Sequence, residues 1–113
     1  MPGSKGLRQH RELMASLDEL REVCLRYKRG ADKIRQLMDQ GTPAVDALIK
    51  ANAVQMRQEL TQAMERVEAA RRGSRVLLLE VAAEEGDSAS EFARAIGVSR
   101  QLASRLAGET TGR

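Results

Sequence analysis

Apolar residues recur along the first third of the chain at alternating spacings of four and three. The series is Leu13, Leu17, Leu20, Cys24, Tyr27, Ala31, Ile34 and Met38. This alternation keeps one apolar seam along a single side of an α-helix and is typical of coiled-coil packing. We therefore expect a helix over about residues 8–40. It should end at Gly41-Thr42-Pro43, because glycine favours a helix end and proline the first turn of a new helix.

A second series with the same spacing follows this turn. It runs through Ile49, Ala53, Met56, Leu60, Ala63, Val67 and Ala70. A short connection between two long helices makes them antiparallel neighbours. Residues 8–73 are therefore predicted to form a long antiparallel helical hairpin, a coiled-coil-like arm. A break or kink is expected at Gly73-Ser74, although a helix that continues through Gly73 would keep Leu77 and Val81 in register.

Two helices cannot cover every apolar position of this arm. Leu25, Leu37, Val45, Leu48 and Met64 flank the seams and would stay in water in an isolated hairpin. Since burying a large apolar side chain is worth about 1.5–3 kcal/mol, we expect a homodimer through the arm. The residues predicted to take part are Leu13, Leu17, Leu20, Tyr27, Ile34, Ile49, Met56, Leu60 and Val67. The alternative is a monomer whose C-terminal helices fold back onto its own hairpin.

The last quarter of the chain predicts two short helices joined by a tight turn. Phe92, Ala93 and Ile96 form an apolar stripe on the first of them, and Gly97 can take positive φ at the corner. After the turn comes Val98, which is placed to fill the angle between the helices, and then a helix cap at Ser99. The inner face of the second helix is Leu102, Ala103 and Leu106.

This arrangement resembles the helix-turn-helix of DNA-binding regulators. The likeness covers about twenty residues, or roughly thirty-five if 75–85 is a support helix. Ala103 departs from it, because the family usually has a branched aliphatic residue there. The resemblance implies that the helix over 99–107 enters a major groove. The residues implied to contact bases or phosphates are Ser99, Arg100, Gln101, Ser104, Arg105 and Arg94. An αα-hairpin with the same turn and no DNA partner is the alternative.

Composition supports an all-α fold. Aromatic residues make up only 2% of the 113 residues, whereas good helix formers are abundant. The predicted organisation is a disordered N-terminus (1–7), the hairpin arm (8–73), a three-helix helix-turn-helix domain (74–108) and a disordered tail (109–113). The formal net charge is +3. Residues 74–113 nevertheless carry five basic and six acidic side chains, so this predicted DNA-binding unit is not basic as a whole.

The sequence offers little for catalysis, metals or cofactors, and we expect none of them. His10 is the only histidine and Cys24 the only cysteine, and no cluster has the spacing of a metal site. No apolar run approaches the length of a membrane span, so a cytoplasmic location is expected. The sequence therefore predicts a bacterial, plasmid or phage transcription regulator that binds double-stranded DNA as a dimer. The alternative is a coiled-coil adaptor whose C-terminal helices dock a protein partner.

Overall fold

The computed structural model describes residues 4–99, 101, 102, 104, 105 and 108. No strand occurs among them, which confirms the all-α fold class. Four helices lie within this part of the chain: α1 (Ser4–Asp39), α2 (Ala44–Lys50), α3 (Ala53–Glu84) and α4 (Ala89–Ile96). The described positions between 101 and 108 are helical as well. Helix α1 begins inside the segment 1–7 that the sequence predicts to be disordered; residues 1–3 and the predicted tail 109–113 lie outside the described residues.

The ends of α1 and α3 follow from their glycines. Gly41 has φ +99° and Gly86 has φ +96°, a region that residues with a Cβ rarely adopt. After α1, the N–H of Thr42 donates to the carbonyl of Leu37 at 2.9 Å. After α3, the N–H of Asp87 donates to the carbonyl of Ala82 at 2.9 Å. These six-to-one bonds satisfy carbonyls that the helix leaves open at its end, so both stops are local in origin.

The expected break at Gly73-Ser74 is wrong, because α3 runs through both residues. The interruption falls earlier, between α2 and α3, where Asn52 adopts φ +57°. Asparagine tolerates this left-handed conformation better than most residues. Pro43 stands at the N-cap of α2 and provides no side-chain cap. The second predicted helix is therefore two helices, the short α2 and the long α3.

The contacts divide the chain into two compact units. One comprises Met14–Glu68, and the other combines the residues through Leu13 with the chain from Ala69 onward. In the first unit, α1 and α3 run antiparallel, as their cross-helix ion pairs require. The guanidinium of Arg66 donates to the two carboxylate oxygens of Glu19 at 2.6 and 2.5 Å. Arg26 Nε lies 3.5 Å from Glu59 Oε1.

The side of α1 that faces α3 differs from the predicted seam. Ser16 and Val23 are buried, at 9% and 3% exposure, whereas Leu17 and Cys24 are exposed. In this unit the buried positions of α1 therefore each precede a predicted seam position by one residue: Ser16 is buried in place of Leu17, and Val23 in place of Cys24. The space needed for close packing explains why this side of α1, and not the predicted one, faces α3. The side chain of Met56 occupies the position where a Cβ on Gly30 would lie, so the side of α1 with small residues admits the neighbouring helix.

On α3 the predicted seam does face inward. Ala63 is fully buried at 0% exposure, and Ala53, Met56, Leu60 and Val67 are partly buried. A seam of small and medium residues on α3 therefore meets the small-residue side of α1. Close approach of the two helices is the physical basis of the packing in this unit.

In the second unit, the start of α1 lies against α3. A Cβ placed on Gly73 would stand 2.7 Å from Oε1 of Gln9. The glycine that was expected to interrupt the helix instead makes room for a side chain of α1. The core of this unit lies further along α3, where it meets α4.

Candidate nucleic-acid interface

The candidate interface rests on a small apolar core. Leu79 of α3 and Phe92 and Ala93 of α4 are buried together, each at 7% exposure or less. Residues packed against them come from three segments, namely Val76, Ala82, Ala89, Val98 and Leu102. Phe92 is one of two aromatic residues in the chain and supplies the largest side chain of this core. The core therefore joins the end of α3, α4 and the segment after Gly97.

Helix α4 begins with a capping box. Ser88 Oγ accepts a hydrogen bond from the N–H of Glu91 at 3.1 Å, and Oε1 of Glu91 accepts one from the N–H of Ser88 at 2.7 Å. Two N–H groups that a helix start leaves open are satisfied in this way. The backbone hydrogen bond from Ser88, then its side-chain bond, lowers the pKa of the Glu91 carboxyl, because both favour the charged form. Nearby Arg94 acts in the same direction.

The turn after α4 uses Gly97 as the sequence predicts. Its backbone lies in the left-handed region, with φ +73° and ψ +30°. The N–H of Val98 donates to the carbonyl of Ala93 at 3.0 Å, which closes the end of α4. Ser99 Oγ then accepts a hydrogen bond from the N–H of Leu102 at 3.1 Å. Ser99 is thus a cap for the helical residues that follow, and Val98 and Leu102 are brought onto the core.

Ile96 does not join this core, contrary to the sequence expectation. It is 37% exposed at the last position of α4. The inward positions of α4 are Ala89, Phe92 and Ala93, which lie three and four residues apart on one side of the helix. Beyond the turn, Val98 packs on the core instead of Ile96. Leu106, also predicted to pack there, lies outside the described residues.

Five of the six polar residues predicted to contact DNA are described, and these five lie on the surface. Those described and exposed are Arg94, Ser99, Gln101, Ser104 and Arg105. Arg100 lies outside the described residues. Among the described positions after Ser99, Leu102 is the one packed against the core, while Gln101, Ser104 and Arg105 are open to solvent. The segment therefore has one apolar side on the protein and a polar side that a ligand can reach.

The residues predicted for self-association fall into two groups. Six are partly buried within a single chain, and they are Leu13, Leu20, Ile34, Met56, Leu60 and Val67. Three are exposed: Leu17 at 41%, Tyr27 at 40% and Ile49 at 71%. Ile49 leaves the seam because the interruption at Asn52 separates α2 from α3. Most of the predicted self-association residues therefore already pack within one protomer.

The tip of the arm exposes several apolar side chains, among them Val45, which the sequence placed in water in an isolated hairpin, and Val54, which it did not single out. Val45 is 67% exposed and Val54 is 70% exposed, beside Ile49 at 71%. Ala47, in the same short helix, is fully buried. Helix α2 therefore turns Ala47 inward and its larger apolar residues outward. Periodicity cannot reveal this, since a seven-residue helix carries too few repeats to define its inner side.

The described residues contain no group of three or more histidine, cysteine, aspartate or glutamate side chains that could hold a metal ion. No helix among them is long and apolar enough to cross a membrane. No protein-family model matches the chain, and comparisons with curated proteins and with solved structures give no significant match. The geometry of the chain's own residues must therefore carry any functional conclusion.

Proposed function

We propose that the protein is a sequence-specific DNA-binding transcription regulator that acts as a dimer. The observation that carries this proposal is the arrangement after Gly97. A capped helical segment places Leu102 on the core and leaves Gln101, Ser104 and Arg105 exposed. Amide, hydroxyl and guanidinium groups on one bare side of a helix match the donors and acceptors of base edges and phosphates.

In this proposal the segment over 99–107 lies in the major groove. Gln101 and Ser104 face base edges, together with Arg100. Arg105 contacts a phosphate or a guanine, and Arg94 contacts the sugar-phosphate backbone of the DNA. The N–H groups at the start of the segment, beside Ser99, point toward a phosphate, as the first turn of a helix favours anions. A bidentate contact from arginine or glutamine is worth about 1–3 kcal/mol of base discrimination.

A dimer sets the form of the binding site. Two-fold symmetry requires an inverted repeat whose half-sites lie about 34 Å apart, or a multiple of that distance. Of the residues predicted for self-association, Ile49 is the most exposed. The proposed contact between protomers therefore lies at the tip of the arm, where Val45 and Val54 are also exposed.

Selection of bound duplexes from a random pool tests this function directly. An enriched inverted repeat is expected, with a dimeric mass in light scattering. With the enriched duplex, fluorescence anisotropy at fixed salt should show that Gln101→Ala and Arg105→Ala weaken binding about tenfold or more. Arg29→Ala, which removes an exposed arginine from the arm, is the matched control and should bind like the wild type. No enrichment, or equal affinities for all three variants, would refute the proposal.

A second candidate function is a protein adaptor. Two observations favour it: residues 74–113 carry one more acidic than basic side chain, and the arm exposes apolar residues. Salt separates the two functions. DNA binding should weaken by about 0.9 log unit per log unit of salt for each phosphate that the protein neutralises. An adaptor shows no duplex binding at low salt.

A further inference from the structure

Helix α1 carries a line of exposed apolar residues that the hairpin does not use. Leu17, Cys24, Ala31 and Met38 are seven residues apart, and all four are exposed. Leu17 is 41% and Met38 is 47% exposed. At 3.6 residues per turn, positions seven apart lie almost on one line along a helix. We call these four residues the apolar column; it extends over about 32 Å at 1.5 Å per residue.

The ion pairs locate this column on one face of the hairpin. Each residue advances about 100° around a helix, so Glu19 lies about 100° to one side of Leu20 and Leu17 about 60° to the other. Glu19 pairs with Arg66, and Arg26 pairs with Glu59 in the same way one heptad later. The apolar column is therefore on the face opposite these ion pairs. On α3 the same reasoning places Met64, which is 52% exposed, on the face of the column.

A row of basic residues borders the column on its outer side. Arg21, Lys28 and Arg35 are also seven residues apart, and all three are exposed. They follow the apolar residues by four positions, which is about 40° around the helix. Arg35 Nε lies 3.7 Å from Asp39 Oδ2 in a solvent-exposed ion pair. Such a pair adds little to stability in water. Arg21 and Lys28 have no ion pair among the described residues. We call these three the cationic row.

The length of the column excludes the two short described helices, α2 and α4, as its cover, and α3 already packs against another side of α1. Helix α2 has seven residues and α4 has eight, so each is at most about 12 Å long. A repeat of seven fits the grooves of another helix with the same repeat, because knobs then meet holes along the whole contact. The occupant is thus a long amphipathic helix with apolar residues at alternating spacings of three and four.

Charge decides between a second copy and another protein. If two copies packed antiparallel through this column, the cationic row of one would border the cationic row of the other. If they packed parallel, the cationic row of one copy would border the side of the other copy's α1 that is already covered by that copy's own α3. In neither pairing does the flanking position that meets Arg21 and Lys28 directly carry an acidic residue. We propose that the apolar column and the cationic row dock an acidic amphipathic helix, at least about 22 residues long, from another protein.

This inference does not depend on DNA binding and predicts a simple discrimination between peptides. The probe is a fluorescein-labelled peptide of about four heptads, with leucine at both core positions of each heptad and glutamate at the flanking positions. The control peptide has lysine in place of each glutamate. The 113-residue chain should bind the glutamate peptide and not the lysine peptide. Affinity should fall as salt rises from about 0.1 to about 1 M, because the Debye length shrinks from about 10 to about 3 Å.

Variants locate the binding on the proposed face. Leu17→Glu should weaken binding of the glutamate peptide at least tenfold, whereas Leu78→Glu, the same change at an exposed position of α3, should leave it unchanged. The double variant Arg21→Glu/Lys28→Glu should lose the glutamate peptide and gain the lysine peptide. Arg29→Glu/Lys33→Glu has the same net charge and changes two other exposed side chains of α1. It should still prefer the glutamate peptide, and circular dichroism should show the same helicity for all variants.

Three results would overturn the proposal. One is equal binding of the two peptides, or equal losses in the two double variants. Another is a dimer in light scattering that Leu17→Glu converts into a monomer, which would assign the face to a second copy. The third is binding to vesicles containing phosphatidylserine that Leu17→Glu abolishes, which would assign the face to an anionic membrane surface.

Discussion

Removal of the Phe92 side chain tests the small core beneath the candidate interface. Phe92 is 7% exposed and lies with Leu79 and Ala93, the other buried members of this core. Truncation of a buried phenylalanine to alanine costs about 3–5 kcal/mol, through lost burial and the cavity left behind. Whole domains are commonly stable by only about 5–15 kcal/mol. Phe92→Ala should therefore unfold α4 and the segment after Gly97 under mild conditions.

The matched control is Ile96→Ala, in the same helix. Ile96 is 37% exposed, so its truncation should cost clearly less, about 1 kcal/mol or below. Phe92→Leu, which keeps an apolar side chain, should lie between the two. Because residues 14–68 form a compact unit of their own, their helices should remain folded in Phe92→Ala.

Hydrogen exchange measured peptide by peptide resolves this prediction. Phe92→Ala should lose amide protection over 76–102 and keep it in the helices of 14–68. Urea unfolding followed by circular dichroism at 222 nm gives the size of the effect. The reasoning fails if Ile96→Ala costs as much as Phe92→Ala, or if the loss of protection in Phe92→Ala spreads evenly over the chain.

Four further predictions concern helix caps and residues with positive φ. Ser88→Ala should destabilise α4 by about 1 kcal/mol in urea unfolding, since it removes the acceptor for the N–H of Glu91. The pKa of the Glu91 carboxyl is lowered, so the stability from its capping contact should be complete at neutral pH and lost as pH falls through that lowered value. Glu91→Gln should flatten this acid dependence in a pH series of melting curves. Gly97→Ala should lower the free energy of unfolding by about 1–2 kcal/mol through its φ of +73° alone, because a Cβ there meets nothing within 4 Å. Asn52→Gly, at φ +57°, should be neutral or stabilising in the same thermal assay.

The sequence predicted best where local chemistry decides the outcome. The turns at Gly41 and Gly97 stand where they were expected, since a backbone with positive φ favours glycine whatever packs around it. The cap at Ser99 follows from a side chain and a backbone N–H three residues apart. The predicted DNA contacts themselves stay predictions.

The place where the second predicted helix is interrupted shows why other features could not be predicted from the sequence. Gly73 has low helix propensity, yet α3 continues through it because the residue lies against Gln9, where a Cβ would be crowded. Close approach between helices outweighs a propensity penalty of about 1 kcal/mol. Asn52, by contrast, lies in a stretch without glycine or proline, so the sequence does not indicate a helix end there. Its left-handed backbone nevertheless interrupts the arm.

By itself, the sequence determined that this protein is helical, where α1 ends and where α4 ends, because neighbours in the chain make those contacts. Only the tertiary structure decided which side of α1 is buried. Two overlapping lines of positions along α1 share Leu13, Leu20 and Ile34, and hydrophobicity favours the one through Leu17. Packing selects the line through Ser16, Val23 and Gly30, where small residues let α3 approach, and it leaves the apolar column exposed.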